Sequence, residues 1–366
     1  MSQQHAPSTP LTTPSTLALP SVRKLSRRAF SGAALMAVVS PATTVRAQGK
    51  GERSKVTLGV AGKASLPYLP LTISEQLGYF KAEGVDVDIV DLGDGERALQ
   101  SMMGGAVQVG SGPFEHTIAA QTRRQMLQAF VLQGRTPQLA LGVSIKTMPN
   151  YRHPRDLKGR RIGVAGSGTS GTMVTHVVLA RAGLRPGDAT LVSVGSAAAA
   201  LQALRSGQID AISHTDPVMT MLEQKGEVRI ISDTRTLKGT LDVFGGSMPA
   251  ACLYAPLDFV EKNPETCQAL ANAVVHGLKW LQTAGPGDII KTVPEAYLLG
   301  DRGLYLASFN KVRESISTDG LIPEDGPRTA LRALASMDAS VRAEKIDLSK
   351  TFTNEFARRA KERFKA

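Results

Sequence analysis

The sequence predicts an α/β chain of two lobes, each a mainly parallel sheet flanked by helices, with a cleft between the lobes. Three observations predict it: an internal repeat, the alternation of strand-like and helix-like segments inside each copy, and a length that suits two cores once an N-terminal segment is set aside.

The repeat is read first, because a period of this kind fixes architecture. Leu58-Gly-Val-Ala-Gly62 is echoed by Ile162-Gly-Val-Ala-Gly166, each a short apolar strand ending in a glycine turn. Further on, Ala98-Leu-Gln-Ser-Met-Met-Gly-Gly105 is matched by Ala200-Leu-Gln-Ala-Leu-Arg-Ser-Gly207. Between these anchors a helix-like run closes on Gly84 or Gly183 before a strand at 85–90 or 189–194, and glycine just past a helix is a natural stop. The third strands, 106–111 and 208–213, place Ser111 and Ser213 at equivalent carboxyl ends. Strands alternating with helices at this spacing build βαβ units and a mainly parallel sheet. Beyond about 245 no third copy begins. A strand at 250–255, a helix at 264–282 and later helices are expected to return to the first lobe. Lobe one is therefore assigned 48–140 plus 245–366 and lobe two 141–244, with crossovers near 139–143 and 244–251.

The segment 1–47 is read as address. Arg23-Lys24-Leu25-Ser26-Arg27-Arg28-Ala29-Phe30 precedes a weakly apolar run to Val45, and Val45-Arg46-Ala47 fits the small-x-small cleavage rule. The paired arginines give it a twin-arginine character. About 17 diluted apolar residues are too few for a span, which wants roughly 20. Cleavage near Ala47 and a periplasmic mature chain starting at Gln48 are expected.

That segment carries five positive charges and no negative ones, so the formal +11 of the chain falls to +6 without it. The remainder is interspersed with acids and lacks the basic, aromatic-interleaved grooves of nucleic-acid binders, so nucleic acid is excluded as a partner. Cys252 and Cys267 are the only cysteines, too few for a disulfide scaffold or a cysteine-rich metal site. The histidines are scattered without ligand spacing, so no metal is expected.

Ligands in open α/β sheets gather at strand carboxyl ends, which nominates the binding residues. Gly166-Ser-Gly-Thr-Ser-Gly171 follows a strand and opens a helix. Its free backbone N–H groups and the hydroxyls of Ser167, Thr169, Ser170 and Thr172, with Gly171, form an anion seat. In lobe one, Lys63, Ser65 and Tyr68 occupy the counterpart loop, and Ser111, Gly112 and Glu115 follow the third strand. Lobe two contributes Ser213, His214 and Asp216, of which Asp216, like Glu115, is a candidate amine holder. Each of these polar residues has helix capping as its competing duty. No phosphate loop and no nucleophile-centred Gly-x-Ser-x-Gly occurs, so no catalytic residue is assigned. Gly166, Gly168 and Gly171 formally satisfy the dinucleotide pattern. The next strand ends in Gly195-Ser196, where an acid would hold the ribose. An exported nicotinamide-dependent oxidoreductase is therefore the alternative reading, and no cofactor is the preferred one.

Several of these stretches together resemble the nitrate/sulfonate/taurine branch of ABC-importer solute-binding proteins, which includes thiamine-pyrimidine-precursor binders. The carriers are Pro67-Tyr-Leu-Pro-Leu71, Glu75-Gln-Leu-Gly-Tyr-Phe-Lys-Ala-Glu-Gly-Val-Asp-Val87, the segments 99–111 and 166–171, and Leu204-Arg-Ser-Gly-Gln-Ile-Asp-Ala211. The resemblance implies a type II periplasmic-binding fold, closure of two lobes about a hinge, and handover of a small-molecule solute to a membrane permease and its ATPase by a monomer that is not an enzyme. Thr172 stands where sulfonate-binding members carry a histidine. Related fungal pyrimidine synthases use a cysteine cluster that Cys252 and Cys267 do not form. Tyr68 and Phe114, expected near the cleft, suit an aromatic carboxylate or heterocycle. A solute-sensing partner of a membrane receptor would use the same clamp.

Overall fold

The architecture follows from where the chain leaves and re-enters its sheets. A computed structural model describes residues 55–93, 95–166 and 170–366; the expected export signal at 1–47, and Ser167 and Thr169, lie outside the described residues. β1 (Lys55–Val60) leads through a tight turn to α1 (Leu69–Gln76), α2 (Tyr79–Ala82), β2 (Asp86–Asp91), α3 (Gly95–Met103), β3 (Val109–Pro113), α4 (Glu115–Thr122) and β4 (Leu127–Leu132). A second series follows: β5 (Leu139–Ser144), β6 (Arg161–Val164), α5 (Ser170–Arg181), β7 (Thr190–Ser193), α6 (Ala197–Ser206), β8 (Ala211–Thr215), α7 (Val218–Gln224), β9 (Val228–Asp233) and α8 (Leu237–Phe244). The chain closes with β10 (Ala251–Pro256), α9 (Leu257–Lys262), α10 (Pro264–Thr283), α11 (Pro286–Thr292), α12 (Arg302–Val312), α13 (Gly326–Met337) and α14 (Glu355–Phe364).

Two five-stranded sheets result, ordered β2-β1-β3-β10-β4 and β7-β6-β8-β5-β9. The order is the same in both, and the first three strands of each are those of the sequence repeat. β1 pairs in parallel with β2 and β3, and β6 with β7 and β8, whereas β10 and β5 run antiparallel to both their neighbours. The reversed strands have a common cause. β4 ends at the edge of the first sheet where strand carboxyl ends gather, so a chain crossing directly from there enters the second sheet at the same edge and must run away from it. β10 repeats the manoeuvre on return. The first crossing lies at 133–138 and β5 belongs wholly to the second sheet, a few residues ahead of the crossover expected at 139–143.

Local chemistry explains the elements. β3 and β5 are buried along their whole length, as expected for strands covered on both faces. Ser196 caps α6 by accepting from the Ala199 N–H, and Gly207 ends that helix with φ near 79°, a left-handed conformation that glycine adopts without strain. Gly105, its counterpart in the first copy, has φ near 77°.

The first sheet buries one face against α1, α10 and α14, through residues such as Leu58, Leu253, Leu278 and Phe356. Its other face joins a cluster in which Met173 and Val177 of α5 pack with Leu331 and Leu334 of α13, so apolar packing ties the two sheet systems together. Cys252 and Cys267 are both buried, and no disulfide joins them. Phe114, expected near the cleft, is instead a core residue set edge-on to Phe352. No helix of the described residues is long and apolar enough to cross a membrane.

Candidate functional site

Strand ends of both sheets converge on one cavity of about 740 Å3. Ala61 after β1 and Pro113 of β3 reach it from the first sheet, and Ala165 after β6, Ser193 of β7 and Thr215 of β8 from the second. The amino ends of helices follow directly: Gly95 and Arg97 of α3, Ser170 and Gly171 of α5, and Ser196 and Ala197 at α6 all line it. Helix amino termini present unpaired N–H groups and partial positive charge, so the wall favours negative charge or hydrogen-bond acceptors.

The nominated residues divide into two groups. Ser65, Tyr68, Ser170, Gly171, His214 and Asp216 line the cavity. The rest of the described set lies behind its wall, for reasons the contacts give. Lys63 pairs with Glu75 at 2.7 Å, and its own N–H, with those of Gly62 and Gly93, goes to the Asp91 carboxylate. Ser111 is buried and accepts from Gln133 Nε2 at 2.9 Å. Gly112 makes room for Tyr254: a Cβ there would sit 2.8 Å from its hydroxyl oxygen, and the same ring lies 2.7 Å from a Cβ built on Gly110. The Thr172 hydroxyl donates to the Gly166 carbonyl at 3.2 Å. Ser213 is fully buried in β8.

Asp216 reaches the cavity, yet its carboxylate is engaged. It accepts from the Thr220 N–H at 2.7 Å and pairs at 3.3 Å with Arg235, which is 2% exposed. Arg235 also pairs with Asp233 and Glu223, and Glu223 with Lys311. Holding an amine, the role foreseen for Asp216, would mean taking the carboxylate from a buried guanidinium, a loss of several kcal/mol in such settings.

Glu115 opens α4 on the first-sheet side and accepts at 2.8 Å from the Ser170 hydroxyl, which opens α5 on the second-sheet side. It is 5% exposed, and Oε2 has no partner among the described residues. Burial pushes its pKa up to about 7, against the opposing pull of its own backbone N–H and of Ser170. Burial likewise raises the Tyr68 phenol, with Glu115 adding to it, and lowers His214.

Several lining residues escaped the sequence reading. Arg97 supplies the one cationic side chain among the described lining residues, and Ser193, Ser196 and Thr215 supply hydroxyls. The strand-end rule that found Ser111 and Ser213 would have found Ser193 and Ser196 had it been applied to the second strand of the repeat. Tyr297 and Leu299 come from a segment outside the repeat, and nothing in their surroundings marks them.

The family profile described as NMT1/THI5 like matches residues 67–284. A solved structure from Bordetella bronchiseptica RB50 is 52% identical, covers 86% of this chain and 99% of its own, and superposes with a TM-score of 0.83. The alkanesulfonate-binding protein SsuA from Xanthomonas axonopodis pv. citri, solved bound to MOPS, is 18% identical over 83% of this chain and 99% of its own, with a TM-score of 0.66. At that identity the likeness is one of fold, the periplasmic-binding fold that the family resemblance implied. The Bacillus subtilis binding protein YtlA is 23% identical over 71% of this chain and 77% of its own length. The 4-amino-5-hydroxymethyl-2-methylpyrimidine phosphate synthase of Schizosaccharomyces pombe is 25% identical over 60% of this chain and 64% of its own. By profile and by identity along most of its length, the chain belongs to the NMT1/THI5-like family.

Proposed function

We propose that this chain is the solute-binding component of an ABC importer. On this reading it is exported to the periplasm, captures a small anionic or polar organic solute between its two sheet systems as a monomer, and delivers it to a permease and ATPase without chemistry. The observation that carries the reading is the cavity itself: helix amino termini from both sheet systems aim at one space, and the two acids among its described lining residues, Asp91 and Asp216, are already engaged. Such a wall favours an anion. The fold shared with sulfonate-binding and nitrate-binding proteins supports it.

The test is a thermal-unfolding screen of the full chain against sulfonates, carboxylates, nitrate and taurine. A solute at about 1,000 times its Kd adds roughly 4 kcal/mol of stability. A shift of several degrees with one class supports the receptor reading, and none across the panel counts against it. The fission-yeast relative supports a second reading, an enzyme on the same fold. Solute recovered unchanged after prolonged incubation separates receptor from enzyme.

A further inference from the structure

A second cavity, of about 450 Å3, shares no described lining residue with the first. It lies where three segments meet: the first crossing, through Arg135; the end of α10, through Leu281 and Gln282; and the turn after α12, through Arg313 and Glu314. Backbone contacts join crossing and turn: Gly134 bridges Ile316, and the Arg135 N–H donates to the Ser315 carbonyl at 2.7 Å. The same turn holds the segment after β9. Glu314 Oε1 accepts from the Leu237 N–H at 3.0 Å, and the Ser315 hydroxyl donates to the Arg235 carbonyl at 2.7 Å. An occupant of this cavity therefore rests on a turn that touches chain from both sheet systems.

Its wall is basic, with Arg135, Lys311 and Arg313 against Glu314 among the described lining residues. Lys311 is neutralised by Glu223 at 2.5 Å. The two guanidiniums are not neutralised. Each donates through Nη2 to backbone carbonyls alone, Arg135 to that of Glu314 and Arg313 to those of Leu281, Gln282 and Ala284. Neither pairs with a carboxylate among the described residues, and Nε and Nη1 of both make no hydrogen bond there. Arg135 Nε is buried as well. A buried donor without an acceptor costs free energy that a bound acceptor returns. A guanidinium with spare N–H groups and no counter-ion is also a ready partner for phosphate oxygens.

Charge and size select the class of ligand. Two uncompensated cations match two negative charges, and a phosphomonoester carries close to two on one head near neutral pH. The cavity also has an apolar side, formed by Leu278, Leu281 and Ile316. Its volume falls within the range of roughly 300–1,000 Å3 that holds small organic molecules, more than one inorganic ion fills. We infer that this cavity is a second binding site, for a phosphorylated small molecule whose phosphate takes Arg135 and Arg313 and whose organic part covers Leu278, Leu281 and Ile316. Such a site stands whether or not the first cavity serves a receptor.

Isothermal titration of the full chain in phosphate-free buffer tests it, with phenyl phosphate, phenyl sulfate, succinate and inorganic phosphate as probes. At pH 7.5 phenyl phosphate should bind at least tenfold more tightly than phenyl sulfate and at least threefold more tightly than the other two. Lowering the pH to 5 should cost phenyl phosphate about fivefold relative to phenyl sulfate, because its second charge is lost near about pH 6. A titration of the protein would move both probes alike, and an unchanged ratio overturns the two-charge match. Arg135→Gln should weaken phenyl phosphate tenfold or more. Should that variant fail to fold, Arg135→Lys, which keeps the charge but not Nε, should still weaken it threefold or more. No binding of phenyl phosphate overturns the inference, and so does binding that the folded variant leaves unchanged, which would put the ligand elsewhere. Phenyl sulfate or succinate binding as tightly overturns the phosphate class, and inorganic phosphate binding as tightly overturns the part given to the apolar side. None of these outcomes touches solute capture in the first cavity.

Discussion

At the scale of single residues, Glu115 concentrates the tension in the site. Its carboxyl is raised to about 7 by burial, well above an ordinary glutamate, so folding takes up a proton between these values. Stability is then fullest at pH below the unfolded pKa, falls as pH rises toward 7, and above that carries a penalty of about 3 kcal/mol. Urea melts at pH 5 and pH 8 should show that loss in the native chain, and Glu115→Gln should abolish it. An equal pH dependence in both would mean that the carboxyl is ionised in the folded protein. Arg235 is the converse case, a buried cation whose pKa burial lowers and whose partners Asp233, Asp216 and Glu223 raise by more. Arg235→Met should cost about 3–5 kcal/mol by stranding Asp216, which is fully buried. Melts at neutral and acid pH check this, since acid protonates the stranded carboxylate and should recover part of the loss.

At the scale of elements, the repeat made the strands legible because apolar runs ending in glycine turns are local patterns, and Gly105 and Gly207 carry the same left-handed geometry in both copies. The reversed direction of β5 and β10 was not legible, since it depends on which edge of the sheet the crossing leaves from and no residue encodes that locally. Gly112 shows the same limit. Its place at a strand end marked it as a ligand contact, but the nearby tyrosyl ring comes from Tyr254, 142 positions later. Gly112→Ala should displace that ring, weaken its 2.8 Å hydrogen bond to His116 Nδ1, and cost about 1–3 kcal/mol. Calorimetry should find that loss. A neutral substitution would mean that the ring has free space to retreat into.

For the whole molecule, the sequence located the cavity, because strand ends of a repeated unit must meet, but not which side chains point into it. Ser65 and Lys63 are two positions apart, yet Ser65 lines the space while Glu75 holds Lys63 away. The cross-contacts that fix how far the two sheet systems approach involve residues distant in sequence. One of them is Lys311 of α12, which packs with the first sheet through Tyr305 and Phe309, pairing with Glu223 of α7 beside the second. Both partners are about one-third exposed, so the pair itself contributes little to folding, within about 1 kcal/mol. On the proposed receptor reading its effect on solute capture is separate, because affinity would scale with the fraction of molecules already in a closed arrangement. Lys311→Met removes the contact while Arg235 still holds Glu223. It should leave the unfolding free energy nearly unchanged and raise Kd by roughly two- to fivefold, the equivalent of at most about 1 kcal/mol of closure. Small-angle scattering of the solute-free variant should show a larger radius of gyration than the native chain. With solute bound, the two should converge. An unchanged Kd with an unchanged solute-free radius would mean that the Lys311–Glu223 pair does not bias closure, leaving that role to the packing of α5 on α13.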